Sequence, residues 1–429
     1  MSASSSGSVV GFLNEIENKY PSAVFFAAGA PSSQFLSQLS LPIIEDALQT
    51  YLQQDKGISR NSASLGGVLQ YGPTRGLINS IIAENLHTDS GIAVSGERVI
   101  VTAGCQEALD LCLSILCPEP SDTLLVNNPT YIGAIGTARM QGIHMEALDN
   151  GQGDLAGQIE ALAATERKKG RSVRAAYLMP RFDNPTGHVL STRDREAVVS
   201  TCAQLGIVIL EDDAYGMYDY DGLTPPPLAA MDRNGCVIYL TTYSKTLAPS
   251  LRVGAATLPE TLFGSRASRE DLMRRLVDRK SLTTLNTSQL SQAIVGGMLI
   301  GQNMTLREWT APARMTYRTN RDILLDQLDS NFSGLFDLVR WTRPSGGFFV
   351  GISLPFPMDL NDTLECARDY GVIVMPMRFF ALDRSQDNVV RLAFSAISAQ
   401  QVERGIHAFA RYVAARMASQ PHTQLMAAS

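Results

Sequence analysis

Thr241-Thr242-Tyr243-Ser244-Lys245-Thr246-Leu247-Ala248-Pro249-Ser250-Leu251-Arg252-Val253-Gly254 follows the apolar run Cys236–Leu240. A run of that kind, rich in β-branched and aromatic residues, reads as a buried strand. Lys245 then stands just past the strand's end, where a lysine is ill suited to a solvated surface. Hydroxyls flank it, and an arginine follows seven residues later. The grouping suits an amine that condenses with a carbonyl, beside hydroxyls and a guanidinium able to hold a phosphate.

Outward from this segment, short apolar runs alternate with helical stretches from about residue 97 to 258. Arg98–Thr102, Thr123–Val126, Arg174–Met179, Gly206–Leu210, Val237–Leu240 and Val253–Thr257 read as strands, with a helix from Cys105 to about Cys117 after the first. Continuous apolar strands separated by helices predict an α/β fold, a large domain whose mainly parallel sheet is flanked by helices. After about residue 290 the pattern changes. A long helical region, Ser288 to about Leu328, precedes short strand candidates at Val339–Trp341, Gly346–Val350, Gly371–Met375 and Val389–Phe394, then a final helix over Ala399–Met417. This predicts a smaller α+β domain. The expected division is an N-terminal arm with part of the small domain over 1–45, the large domain over 46–290 and the small C-terminal domain over 291–429.

Five of the six predicted large-domain strands lead into a polar cluster: Gly104-Cys105-Gln106, Asn127 to Tyr131, Asn184-Pro185, Glu211-Asp212-Asp213 and Ser244-Lys245. Ligands of open α/β sheets bind at the carboxyl ends of strands, so five clusters converging on one edge predict a site there. A phosphate is best received at Gly104-Cys105-Gln106, a strand-to-helix junction with free backbone amides.

Composition bounds the rest. A chain of 429 residues is too long for one compact core. Its net charge of −6 and lack of a long basic block speak against nucleic-acid binding. No apolar stretch reaches the roughly 18 residues that span a bilayer. Met1–Ser8 has neither a basic nor an apolar leader region, so a cytoplasmic location is expected. The six cysteines form no C-x-x-C pair and lie mostly in apolar segments, which suits reduced, buried thiols. The five histidines lack metal-like spacing, and no metal is expected.

Asn184-Pro185-Thr186-Gly187, Asp212-Asp213-Ala214-Tyr215, Ser244-Lys245-x-x-x-Pro249-x-x-Arg252-x-Gly254 and Arg391 occur in the order found in fold-type I, class I/II aminotransferases that use pyridoxal 5'-phosphate (PLP). Phe12–Ile16, Phe26–Pro31, Gln70-Tyr71-Gly72-x-x-x-Gly76 and Leu285–Ala293 extend the resemblance over nearly the whole chain. The chain most resembles members of specialised metabolism such as the dihydroxyphenylglycine aminotransferases.

The resemblance implies a role for each site residue. Lys245 would form the Schiff base with PLP and then shuttle a proton. The residues alone leave Glu211, Asp212 and Asp213 as partners for the pyridine nitrogen; the family's Asp-x-x-Tyr spacing selects Asp212 with Tyr215. Tyr215 and Asn184 would hydrogen-bond the phenolic oxygen, and Tyr131 would stack on the ring. Gly104, Cys105, Gln106, Thr242, Ser244 and Arg252 would cup the phosphate. Cys105 stands where a hydroxyl residue is common, and a thiol is the weaker donor. Tyr71 would cross to a partner subunit's phosphate, making a homodimer with shared active sites. Arg391, with Gly29 and Asn184, would bind the substrate carboxylate.

Two departures bear on substrate. Pro376-Met377-Arg378-Phe379-Phe380 stands where relatives often carry Pro-Gly, and Arg181-Phe182-Asp183 precedes Asn184 where many carry Gln at the third place. Phe12, Phe348, Phe379 and Phe380 are candidate pocket walls, and Arg378 is the candidate for meeting a substrate side chain. The implied reaction is amino transfer between an α-amino acid, of aromatic or non-proteinogenic type, and a 2-oxo acid. PLP-dependent elimination, replacement or cyclisation would use the same stabilised carbanion. A PLP-binding gene regulator would need a DNA-binding domain, and the segment before Gly29 is too short for one.

Overall fold

The computed structural model describes residues 6–56, 65–149, 153–335 and 338–419. Strands β1 (Val24–Phe25), β2 (Val99–Thr102), β3 (Asp122–Asn127), β4 (His144–Leu148), β5 (Ser172–Leu178), β6 (Val208–Asp212), β7 (Val237–Thr242) and β8 (Gly254–Thr257) are followed by β9 (Arg340–Trp341), β10 (Phe349–Ser353), β11 (Val372–Ile373), β12 (Met375–Pro376) and β13 (Val389–Ala393).

Seven strands form the central sheet in the order β2-β8-β7-β6-β5-β3-β4. Neighbours from β7 through β4 pair in parallel, and β8 runs antiparallel to both β2 and β7. Strand alternation sends Val99, Val101, Tyr239 and Ala255 to one face, against Tyr51, Ile82, Val295 and Leu299. Further along that sheet Leu125, Ala176, Ile209 and Val237 meet Ile159, Val198 and Cys202. Ile100, Leu240 and Ala256 turn the other way, onto Leu109 and Leu113 of the helix Cys105–Leu116. Burial on both faces is why these strands read as continuous apolar runs.

The second sheet, β12-β13-β10-β9, is antiparallel. It packs with the helices Arg307–Asn331 and Ala399–Ala418 through Val350, Ile352, Leu392, Leu324, Ile406 and Phe409. Strand β1 pairs in parallel with β11, Val24 opposite Val372, and ties the N-terminal segment to this part of the chain.

Three elements differ from the sequence expectation. Strand β4 carries no apolar run because it is a sheet edge, half-buried over most of its length. The helical region after Ser288 is two helices, Gln289–Gly301 and Arg307–Asn331, broken where Asn303 and Met304 take positive φ. The single strand expected over Gly371–Met375 is split: β11 pairs with β1, and β12 pairs with β13.

Candidate active site

The strand-end clusters meet. One cavity of about 440 Å³ is lined by Cys105 and Gln106 after β2, Tyr131 after β3, Asn184 after β5, Asp212 at the end of β6, and Thr242, Ser244 and Lys245 after β7. Gly29, Tyr215, Arg252 and Arg391 complete it. Strand alternation separates the three acids. Only Asp212 faces the cavity. Glu211 points away and accepts from the backbone amides of Leu228 and Ala229 at 2.7 and 2.8 Å. Asp213 accepts from Arg181, from the Tyr239 hydroxyl at 2.5 Å and from the Gly216 amide at 3.0 Å.

The Lys245 Nζ donates to the Gly29 carbonyl at 2.8 Å. Burial, with the Arg391 and Arg252 charges, pushes its pKa down to about 8, and Asp212 opposes them. The Asp212 Oδ2 accepts from the buried Tyr177 hydroxyl at 2.7 Å. Its Oδ1 is buried without a partner among the described residues. Burial raises the Asp212 carboxyl to about 6 despite that hydrogen bond. Burial and the Asp212 charge keep the Cys105 thiol protonated. Burial also raises the Tyr131 hydroxyl to about 12.

Hydroxyls, a guanidinium and a helix start crowd the opposite corner. The helix Cys105–Leu116 begins after Gly104, whose φ of 80° and ψ of 173° form a conformation open essentially only to glycine. A Cβ there would lie 2.5 Å from Arg252 Nη2. Arg252 donates to the Ala103 carbonyl at 2.9 Å and to the Ser244 hydroxyl at 3.3 Å. Thr242 donates to Ser244 at 2.9 Å. The Gln106 side chain turns aside to Thr137 at 2.7 Å, which leaves backbone as its contribution to this corner.

Arg391 is 5 % exposed. Its Nη1 donates to Asn184 Oδ1 at 2.7 Å and its Nη2 to the Ala27 carbonyl at 2.5 Å. Its Nε is buried without a partner among the described residues. The guanidinium lies between the rings of Phe349 and Phe380, 4.4 and 4.8 Å from their centroids. Burial pulls its pKa down to about 10. A buried cation held, among the described residues, only by neutral oxygens and π-faces is suited to receive an anion. Gly29 passes so close to Phe349 that a Cβ would stand 2.5 Å from the ring.

Other expected positions fall elsewhere. Tyr71 is 82 % exposed and does not line this chain's cavity. Arg378 turns toward Asp387, Nε to Oδ1 3.4 Å, and shares that carboxylate with Arg384. Arg181 pairs with Asp213, so neither departure places a cation in the cavity. Phe348 is buried behind Tyr215, 5.0 Å between centroids, and Phe12 and Phe379 pack beside Ile16 and Ile373. Of the four phenylalanines only Phe380 lines the cavity. Sequence reasoning passed over Glu17, Phe25, Ile132, Met179 and Met375, which line it too. Phe25, Met375 and Glu17 carried a signal, since each adjoins a quoted motif, Glu17 following Phe12–Ile16 on the same helix.

The family profile for class I and II aminotransferases matches residues 35–409. The chain belongs to this family. It is a PLP-dependent aminotransferase, moving an amino group between an α-amino acid and a 2-oxo acid. It is 32% identical over 413 residues to (S)-3,5-dihydroxyphenylglycine transaminase of Amycolatopsis orientalis, covering 96% of this chain and 92% of that protein. Identity to aromatic-amino-acid aminotransferase 1 of Thermococcus litoralis is 30% over 360 residues, 81% of each chain. The crystal structure of LysN, the α-aminoadipate aminotransferase of Thermus thermophilus, complexed with N-(5'-phosphopyridoxyl)-L-leucine, superposes with a TM-score of 0.75 at 26% identity, covering 94% of this chain and 95% of that one. These matches do not favour elimination, replacement or cyclisation. The aminotransferase's own residues fit PLP on two observations: the orphaned Asp212 Oδ1 offers an acceptor to a ring N–H, and the cradle that any side chain at Gly104 would fill suits a phosphate.

Proposed function

We propose that this aminotransferase takes an amino acid with an aromatic, non-proteinogenic side chain, in specialised metabolism, as a cytoplasmic homodimer with shared active sites. The apolar part of the cavity lining carries the reading: Phe25, Ile132, Met375 and Phe380 line it, with Glu17 also present. The relatives named for dihydroxyphenylglycine and for aromatic amino acids support it. An apolar pocket with few polar groups selects by shape and area.

Bound PLP supplies a sink for the electron pair left on the substrate α-carbon. Lys245 is the residue that holds the cofactor and then takes the proton from that carbon. Its amine must be neutral to do so, and burial brings that state near physiological pH. Asp212 holds a proton at the ring nitrogen. Tyr215 donates at the phenolic oxygen, as does Asn184, whose carbonyl is taken by Arg391 and whose amide nitrogen is left as donor. Tyr131 supports the ring face. The amides of Gly104, Cys105 and Gln106 join Thr242, Ser244, Arg252 and Tyr71 of the partner subunit on the phosphate. Arg391 receives the substrate carboxylate, with Gly29 admitting the chain to it.

The dimer is supported by exposed Leu65, Leu69, Tyr71, Leu285 and Leu290. Their segments are joined through Gly72, packed on Gln289, and the Leu77 amide, bonded to Gln292 at 2.7 Å. Exposed apolar patches of this kind mark interfaces. No helix among the described residues is long and apolar enough to cross a membrane.

Titrating the purified enzyme with an amino-acid panel, and following the cofactor's absorbance, tests the substrate. Arylglycines and aromatic amino acids should react at lower concentrations than alanine or aspartate; reaction only with small or acidic donors overturns it. Lys245→Ala should lower turnover by at least about a hundredfold while PLP still binds. Normal turnover would remove the site assignment.

A further inference from the structure

Beneath the Arg252 corner lies a buried ion pair to which the chemistry above gives no role. Lys280, on the helix Arg266–Thr283, is 0 % exposed. Its Nζ donates to both carboxylate oxygens of Glu107, at 2.9 and 2.8 Å, and to Thr284 Oγ1 at 3.0 Å. Glu107 stands in the first turn of the helix Cys105–Leu116, and its Oε2 also accepts from the Ala103 amide at 2.5 Å. Thr284 donates to Oε1. The same Ala103 residue presents the carbonyl to which Arg252 Nη2 donates at 2.9 Å. The carboxylate thus fixes one side of the residue that aims Arg252, and a fully buried cation fixes the carboxylate. Burying a lysine costs free energy unless it is paired and hydrogen-bonded, and here each of its three donor contacts is on this cluster.

We propose that Glu107 and Lys280 are positioning residues for the phosphate: they clamp Ala103, and through it set both the Gly104–Gln106 amides and the Arg252 guanidinium. The proposal rests on the reading of this corner as the phosphate cup. Its distinguishing mark is that it concerns the phosphate alone, while the Lys245–Asp212 side of the cavity is untouched.

The full-length chain, stripped of cofactor, is titrated with PLP and with pyridoxal, which lacks the phosphate. In the unmodified protein PLP should bind far tighter than pyridoxal, and inorganic phosphate should compete with PLP only. Absence of that preference would sink the cup reading itself. Lys280→Met should weaken PLP roughly ten- to a hundredfold and leave pyridoxal within about twofold. Equal weakening of both ligands indicates a purely structural role and overturns the proposal, as does no change in either. Should Lys280→Met fail to fold, the double variant Glu107→Gln/Lys280→Met removes both charges at similar volume, a replacement buried pairs tolerate. It carries the same expectations.

Discussion

At the scale of single residues, two cations in one cavity are held off their usual behaviour for different ends. The Lys245 amine is neutral above about pH 8 because burial and two guanidiniums disfavour its charge. In cofactor-free protein its reactivity toward an amine-directed reagent should therefore rise through pH 8, against about 10.4 for an ordinary lysine. Asp212 is the group that pulls the other way. Asp212→Asn should move the midpoint lower still, and an unchanged or higher midpoint would contradict the electrostatic account. Arg391 stays charged, and its pairing with neutral oxygens leaves room for a carboxylate. Arg391→Leu should cut kcat/KM for amino acids roughly ten- to a hundredfold, the worth of a charge-assisted hydrogen bond. PLP titration of the variant should change far less, the lost charge acting there through the Lys245 pKa and the freed Asn184.

The residues legible in the sequence were those tied to strand ends. Lys245, Asp212, Asn184 and Tyr131 could be read because a buried strand leaves few reasons for a polar group at its terminus, while Arg252 and Arg391, the latter inside β13, were picked out by the family motif order. The side-chain wall was legible only in part. Phe348 and Phe379 were plausible by type, yet each turned into its local core. Arg378 had a neighbour ten or fewer residues away in sequence, Asp387, that composition could not single out. Glu17 reaches the cavity from the helix Ser6–Lys19, which packs on the helix Ile132–Met140 far along the chain.

At the scale of elements, the start of the helix Cys105–Leu116 carries the most constraint. Its entry residue, Gly104, combines a backbone conformation costing other residues about 1–3 kcal/mol with contact to Arg252. Gly104→Ala should raise the PLP dissociation constant by about tenfold or more, read by fluorescence titration, while thermal unfolding of the cofactor-free protein shifts by only a few degrees. A wild-type affinity would show that Arg252 can yield without cost. The parallel core strands announced themselves through unbroken apolar runs. The edge strand β4 did not, and the two halves of Gly371–Met375 could not be told apart by pattern, since both are buried and differ only in partner.

For the whole molecule, the subunit contact is the open element. Leu69 and Leu290 are exposed beside Tyr71, and Leu65 and Leu285 of the same two segments are exposed with them. Placing a carboxylate at both, Leu69→Asp with Leu290→Asp, should weaken association on the order of a hundredfold or more, because an interface cannot pair those charges. Sedimentation should then show monomers, against the dimer proposed for the unmodified chain. PLP affinity should fall with it, since Tyr71 of the partner subunit would be withdrawn. An unchanged sedimentation coefficient would place the interface elsewhere.

The reversed strand β8 has one more consequence. Because it runs against β7, the chain leaves the sheet at Thr242 and re-enters at Gly254 on the same edge, carrying Ser244, Lys245 and Arg252 across a single short excursion. Every other pair of successive strand-end clusters is separated by a longer connection and a whole further strand, and the loops and helices of that connection can change length without moving either end. Insertions and deletions in related chains should therefore accumulate between the other clusters and be absent between residues 242 and 254. In that interval, one added residue would rotate the amine and the guanidinium out of a common frame, and no compensating crossover exists to absorb it.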